Sequence, residues 1–454
     1  MLSTRIRILF KLVLVLALSA MTLRAQVLYN FGKNIGDPLN PQAPGVLVQG
    51  IDGNLYSTTP TGGTNNCGSQ TCGAVFKMAL NGTVTVLYNF DGTHGANPLS
   101  GLTLGTDGNF YGTTTAGGSS NLGVVFKITS SGNLTVLYNF TGGNDGATPQ
   151  APPIQGADGN WYGTAFAGGT GNLGTIYKIT PSGFAPLYQF DGPHGANPSA
   201  PLLLGVDGNL WGTATLGGNG HGTIFKITPS GTLTVLHKFD HGDTPNIVQA
   251  NDGNFYGTIF RTNVGDGSIY KMAPSGTFST LHNFSGADGI GPSGLMQATD
   301  GNLYGVTEQG GTASLGTVWR MSLGGTFTSL LSLTSALGSS PQVAPFQQTK
   351  GILYGEASAG GRFGGGTFLD GNLGLKGFAS LLPTTGAVGS SVGILGQGLG
   401  STTAVSFNGT AATFSVVSGT FLTATVPSGA TTGPVTVTTS SGKLVSNKQF
   451  IVLP

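Results

Sequence analysis

The sequence predicts an all-β chain: a seven-bladed β-propeller followed by a small β-sandwich. Three observations predict it. The stretch Asp107-Gly108-Asn109-Phe110-Tyr111-Gly112-Thr113-Thr114 recurs along most of the length, with its Asp at 52, 107, 158, 207, 252 and 300. A worn copy stands at Lys350-Gly351-Ile352-Leu353-Tyr354-Gly355, so the steps are 55, 51, 49, 45, 48 and 50 residues. A period near fifty belongs to a propeller or a solenoid. Each copy also holds short runs of β-branched and aromatic residues bounded by Gly, Asn, Asp or Ser, which is strand chemistry. Past Leu382 the composition turns to Ser, Thr, Val and Gly.

Residues 1–25 read as a secretory signal. Arg5, Arg7 and Lys11 make a basic start, Leu12 to Ala20 an apolar centre, and Ala25 a cleavage site. That apolar run is shorter than the ~20 residues a membrane span needs. Cleavage there removes four basic residues and takes the formal net charge from +1 to −3. Such a balance excludes an electrostatic footprint for nucleic acid. An extracellular, periplasmic or cell-surface location follows, with no membrane span after cleavage.

Residues 26–375 form the predicted propeller. Each unit has an apolar run (Leu102 to Leu104), the D-G-N turn with its aromatic, a run such as Gly123-Val124-Val125-Phe126-Lys127-Ile128-Thr129, and a last run such as Leu134 to Phe140. Asp-Gly suits a tight hairpin because glycine accepts positive φ. Four strands joined by tight turns make one blade. The last run recurs at Leu28, Leu87, Leu137, Leu187, Leu236 and Leu281, and in degenerate form at Leu330 to Leu333. The first copy precedes any D-G-N, and the seventh unit lacks one of its own. Val27 to Phe31 is therefore expected to complete the last blade, leaving no open edge. The 80 glycines follow from the many turns.

Cys67 and Cys72 share one loop of the first unit. In an exported chain two nearby cysteines are expected to form a local disulfide. Residues 376–385 are expected to be a linker, and 386–454 a β-sandwich. Its strands are expected near 392–395, 404–407, 412–417, 422–426, 435–439 and 450–452.

The repeated units resemble the bacterial tandem-repeat family called GloVer. The resemblance rests on D-G-N-[LF]-Y-G-T, G-T-[VI]-F-K-I-T-P-S-G and L-Y-N-F, and covers about residues 26 to 370. It implies a surface or secreted location and no particular chemistry. More distantly the units resemble the repeats of streptogramin lyase-like propellers. The C-terminal part resembles the IPT/TIG immunoglobulin-like domain, through Gly389-Ser390-Ser391-Val392, Gly396-Gln397-Gly398-Leu399, Val405-Ser406-Phe407-Asn408-Gly409, Val426-Pro427-Ser428-Gly429 and Gly433-Pro434-Val435-Thr436-Val437-Thr438. That resemblance implies a spacer or binding module.

Antiparallel connectivity puts the D-G-N and Ser-Gly turns at one end of each blade. The second-to-third-strand loops and the links between blades lie at the other, where a scaffold usually bears function. Candidate binding residues on that variable face are His94, His194, His221, His241, Arg261, Glu308 and Arg362. None stands in a motif that names a ligand. The D-G-N copies offer one Asp and one Asn each and then turn apolar, which fits a self-bonded turn better than a calcium loop. A basic column (Lys77, Lys127, Lys178, Lys226, Lys271, Arg320) is broken by Asp370 in the seventh unit, and its stems are expected to cover aromatic surface. The aromatic column Tyr56, Tyr111, Tyr162, Trp211, Tyr256, Tyr304 and Tyr354 is expected to pack between blades. Leu382-Pro383-Thr384-Thr385-Gly386 matches a sortase signal in letters, without the apolar tail and basic end that should follow. No catalytic or metal-binding set is assigned and no cofactor is implied. The expectation is an exported, monomeric, non-enzymatic binding or scaffold protein for a protein or glycan ligand. The alternatives are a streptogramin-lyase-like, metal-dependent lyase and a cell-surface carbohydrate-binding module.

Overall fold

Glycine at positive φ closes the hairpins from which the fold is made. In the computed structural model, which describes residues 23–41, 47–240, 247–260 and 265–453, Gly108 has φ 75°. Its N–H donates to Gly105 O at 2.9 Å, and Gly105 N–H donates to Asn109 O at 2.8 Å. The hairpin joins Thr103–Leu104 to Phe110–Thr114. Val124–Ile128 and Leu134–Asn139 then add in order to make a four-stranded antiparallel sheet.

Seven such sheets are seen among the described residues. We number them I (48–89), II (103–139), III (154–189), IV (203–238), V (247–283), VI (290–332) and VII (346–372). The fourth strand of sheet VII is Arg24–Asn30, which lies antiparallel to Thr367–Asn372 with Arg24 opposite Asn372. The strand thus begins inside the expected leader. Residues 1–22 lie outside the described part, but Leu23 is buried with Tyr304, Leu353 and Leu373.

Aromatic side chains join the sheets face to face. Tyr56 stacks on Phe110 of the next sheet at 4.1 Å, Tyr111 on Trp161 at 3.7 Å and Trp211 on Phe255 at 4.0 Å. A second set pairs each fourth-strand Phe with the third-strand ring of the next sheet. Phe90–Phe126 and Phe190–Phe225 are edge-on, at 5.3 and 5.5 Å. Such geometries exploit the ring quadrupole as well as buried area. The set includes Phe31 of sheet VII against Phe76 of sheet I at 5.6 Å. Tyr354 of sheet VII shares a buried cluster with Leu55 and Phe76 of sheet I.

The sandwich has two four-stranded sheets and one two-stranded pair. Val392, Ile394, Phe407, Leu422, Val437 and Phe450 lie in its core. It starts earlier than 386. Ser380–Leu382 pairs with Ser391–Leu395, and Thr385–Ala387 runs parallel to Ile451–Leu453. The reason is apolar burial: Ala379 and Leu381 belong to its core, ahead of the compositional shift. The L-P-T-T-G letters are therefore built into the sandwich, with Leu382–Pro383 cis.

The sandwich sits on the D-G-N side of the sheets. Thr420 Oγ1 donates to Ile51 O at 2.7 Å, beside the first D-G-N turn. Gln397 Nε2 donates to Thr349 Oγ1 at 3.3 Å. Leu382, Leu395 and Phe421 join the apolar cluster of Tyr56, Leu104 and Phe110.

Candidate functional site

Each D-G-N carboxylate is consumed by its own blade. In Asp158, Oδ1 accepts Asn160 N–H at 3.1 Å, and Oδ2 accepts Asn160 Nδ2 and Tyr162 OH, each at 2.7 Å. Lys178 Nζ lies 3.1 Å from the same oxygen and 5.1 Å from the Tyr162 ring centroid. Burial opposes the charge, but the bonds from Tyr162, Asn160 and Lys178 outweigh it and bring the carboxyl down to about 2. The same arrangement recurs with Lys226 and Lys271, which pair with Asp207 and Asp252 at 3.7 and 3.2 Å. These Asp–Lys pairs close each hairpin on its neighbouring strand. Among the described residues, no group of three or more His, Cys, Asp or Glu could hold a metal ion.

The opposite end bears the links and longer loops. His94 and His194 occupy matching turns in the links after sheets I and III. In each, an Asp three residues earlier accepts the His N–H and meets Nδ1, at 2.7 Å for Asp91 and 2.6 Å for Asp191. Both imidazoles are about half exposed. Each is held by its own turn, with sheets II and III between the two links. His221 is half-buried in the second-to-third-strand loop of sheet IV. Arg362 is exposed in the matching loop of sheet VII, with its guanidinium carbon 5.5 Å from the Phe363 ring centroid. Glu308 is in the strand Leu303–Gln309, not in a loop, because that strand extends further than its counterparts. His241 and Arg261 lie outside the described residues. Cys67 and Cys72 form a disulfide in the loop of sheet I.

Two features escape a reading of the sequence. The first is a glutamine at the end of the first strand, three residues before the D-G-N Asp or, in sheet VII, before Lys350 of the worn copy. Gln155, Gln249, Gln297, Gln347 and Gln49 each accept a backbone N–H from the preceding sheet, at 2.8–3.1 Å. Gln49 also donates to Thr349 Oγ1 at 3.0 Å, tying sheet I to sheet VII. The fixed offset in V-Q-G, I-Q-G and V-Q-A was the available signal, diluted by Leu104 and Leu204 at the same place in sheets II and IV. The second is Glu356, fully surrounded by protein. Its Oε1 has no hydrogen-bond partner, and burial pushes the carboxyl up to about 8.

Repeated four-stranded sheets, joined face to face by the same aromatic columns, define a β-propeller repeat protein. The chain belongs to the Gloeobacter/Verrucomicrobia repeat family, whose model matches residues 14–151, 43–247 and 241–417. Among curated proteins, none matches it. Among solved structures it is similar to a fungal alcohol oxidase of the AA5 family in complex with copper. That match has 13% identity and a TM-score of 0.50 over 92% of this chain and 100% of the other. The sheets end at residue 372, so this coverage reaches into the sandwich. The putative 6-phosphogluconolactonase of Bacteroides fragilis matches at 18% identity and TM-score 0.48, over 68% of this chain and 88% of the other. The periplasmic gluconolactonase of Pseudomonas aeruginosa matches at 15% and 0.44, over 64% and 85%. At these identities the likeness concerns the fold.

Proposed function

We propose that the protein is an exported, monomeric, non-enzymatic binding or scaffold protein. In this reading it is a closed seven-bladed propeller whose C-terminal part is an immunoglobulin-like domain of the IPT/TIG kind. The loop face presents the partner-binding surface. The observation that carries the reading is the position of the sandwich. It occupies the D-G-N face through Thr420, Gln397, Leu395 and Phe421, which leaves the loop face for a protein or glycan. The D-G-N carboxylates are already engaged, and the loops present exposed polar groups of varied chemistry, His94, His194 and Arg362 among them.

Export is part of this reading. The Cys67–Cys72 disulfide fits an oxidising compartment. No helix of the described residues is long and apolar enough to cross a membrane.

Differential scanning of the full chain against a glycan panel and against divalent metals tests it. A glycan-dependent rise in melting temperature, lost in His194→Ala or Arg362→Ala, is the expected result. A saturable rise with a metal alone, lost in His94→Ala or Glu308→Ala, would favour a metal-dependent lyase and overturn the reading.

A further inference from the structure

The first strands of neighbouring sheets touch one another, so they line the axis of the propeller. Along sheets IV to VII they border a cavity of ≈ 340 Å³. This is within the size range of small-molecule sites. Its walls are largely apolar, with Leu203, Val248, Met296 and Phe346 among them. On the D-G-N side the sandwich contributes Asn447 and Lys448 to the wall. Lys448 also borders an adjoining cavity of ≈ 410 Å³ between the hairpins of sheets IV and V and the sandwich. The two cavities share Leu203, Gln249 and Asn251 as well.

Lys448 differs from the lysines of the repeats. Those stand beside the D-G-N carboxylates, as Lys178 and Lys271 do. Lys448 is an exposed residue that lines both cavities, and the protein around it lowers its pKa. No Asp or Glu lines either cavity. Among the described residues nothing gives this ammonium an ion pair or a hydrogen bond. Thr385, on the second cavity, has a buried hydroxyl that also lacks a partner. A cation without a counter-ion in a cavity of largely apolar walls gives a bound anion a charge to pair with.

We infer that Lys448 anchors a small amphipathic carboxylate whose apolar body lies in the channel between Met296 and Phe346. One lysine matches one negative charge, and the other polar groups of the wall are neutral amides and hydroxyls. A phosphate dianion would keep a charge unpaired and leave the apolar walls unused. This site is at the floor of the channel and is independent of the loop-face surface.

Isothermal titration calorimetry of the full chain with benzoate, benzamide and inorganic phosphate tests the inference. Benzoate should bind saturably at one site, more tightly than either benzamide or phosphate. Lys448→Met should weaken benzoate by about tenfold or more, and Lys448→Arg should retain it. Met296→Trp, which fills the channel away from the sandwich, should also abolish binding and gives a separate reading if Lys448→Met fails to fold. No saturable benzoate binding, unchanged affinity in Lys448→Met, or phosphate binding as tightly as benzoate would overturn the inference.

Discussion

Glu356 is a buried carboxyl without a partner, in the position that Thr58, Thr113 and Thr164 hold in other sheets. Those threonines donate to backbone carbonyls across the sheet gap, Thr58 to Pro98 O at 3.1 Å and Thr113 to Ala151 O at 3.1 Å. Burial raises the Glu356 pKa from 4.5 to about 8, so the folded chain favours the protonated acid. Its contribution to stability is complete below the unfolded pKa and is lost as pH rises through that of the folded state. Glu356→Gln should therefore be more stable than the parent at pH 8.5, by on the order of a few kcal/mol. At pH 4 the difference should shrink to within ~1 kcal/mol. Urea titrations at the two pH values check this. Asp158 has the opposite sign: its lowered pKa stabilises the fold above the unfolded value, and the gain disappears as pH falls toward about 2. Tyr177 and Tyr270 bury hydroxyls with no partner, where other sheets have Phe76, Phe126 and Phe225. Tyr177→Phe should stabilise the chain by about 1 kcal/mol, because it removes a desolvated polar group without removing the ring. A loss of that size in the same titration would show that the hydroxyl is satisfied.

The strands explain a glycine that the repeat keeps after its aromatic. Gly212 is paired across the sheet with Phe225, and a Cβ there would lie 2.6 Å from the ring. The ring lies over the bare backbone of the neighbouring strand. Gly163 and Gly305 stand in the same way opposite Tyr177 and Trp319. Gly212→Ala should cost about 1–3 kcal/mol by overpacking, read as a lower denaturant midpoint. Trp211→Ala should cost on the order of 3–5 kcal/mol, since it empties a buried column. The D-G-N hairpins and aromatic columns were legible because they recur at a fixed spacing with distinctive letters. The glutamines were not, because four of the five lie on two- or three-residue strands and two sheets substitute Leu. The start of the sandwich was hidden for a related reason. Leu381 and Leu382 fall in the stretch 376–385 expected to be a linker, and only pairing with Ser391–Leu395 assigns them to the sandwich.

At the scale of the molecule, the sequence told which loops share an end but not which end is covered. Docking depends on shape and on a few contacts, such as Thr420 with Ile51 O, that leave no periodic signal. The N-terminal strand raises a related question. Cleavage after Ala25 would remove Leu23 from its apolar cluster and two pairs from the edge of sheet VII, leaving Gln26 to Asn30 in place. The loop face is free for a partner only if the sandwich occupies the hairpin face, and one cross-link tests that directly. A Cβ at Gly53 would lie 3.4 Å from Thr420 Cβ, near disulfide spacing. The double variant Gly53→Cys, Thr420→Cys should close a second disulfide on oxidation, seen by mass spectrometry of a non-reduced digest as one peptide joining the two positions. Two free thiols after oxidation of the folded chain would contradict the docked arrangement, and with it the assignment of the loop face as the binding surface.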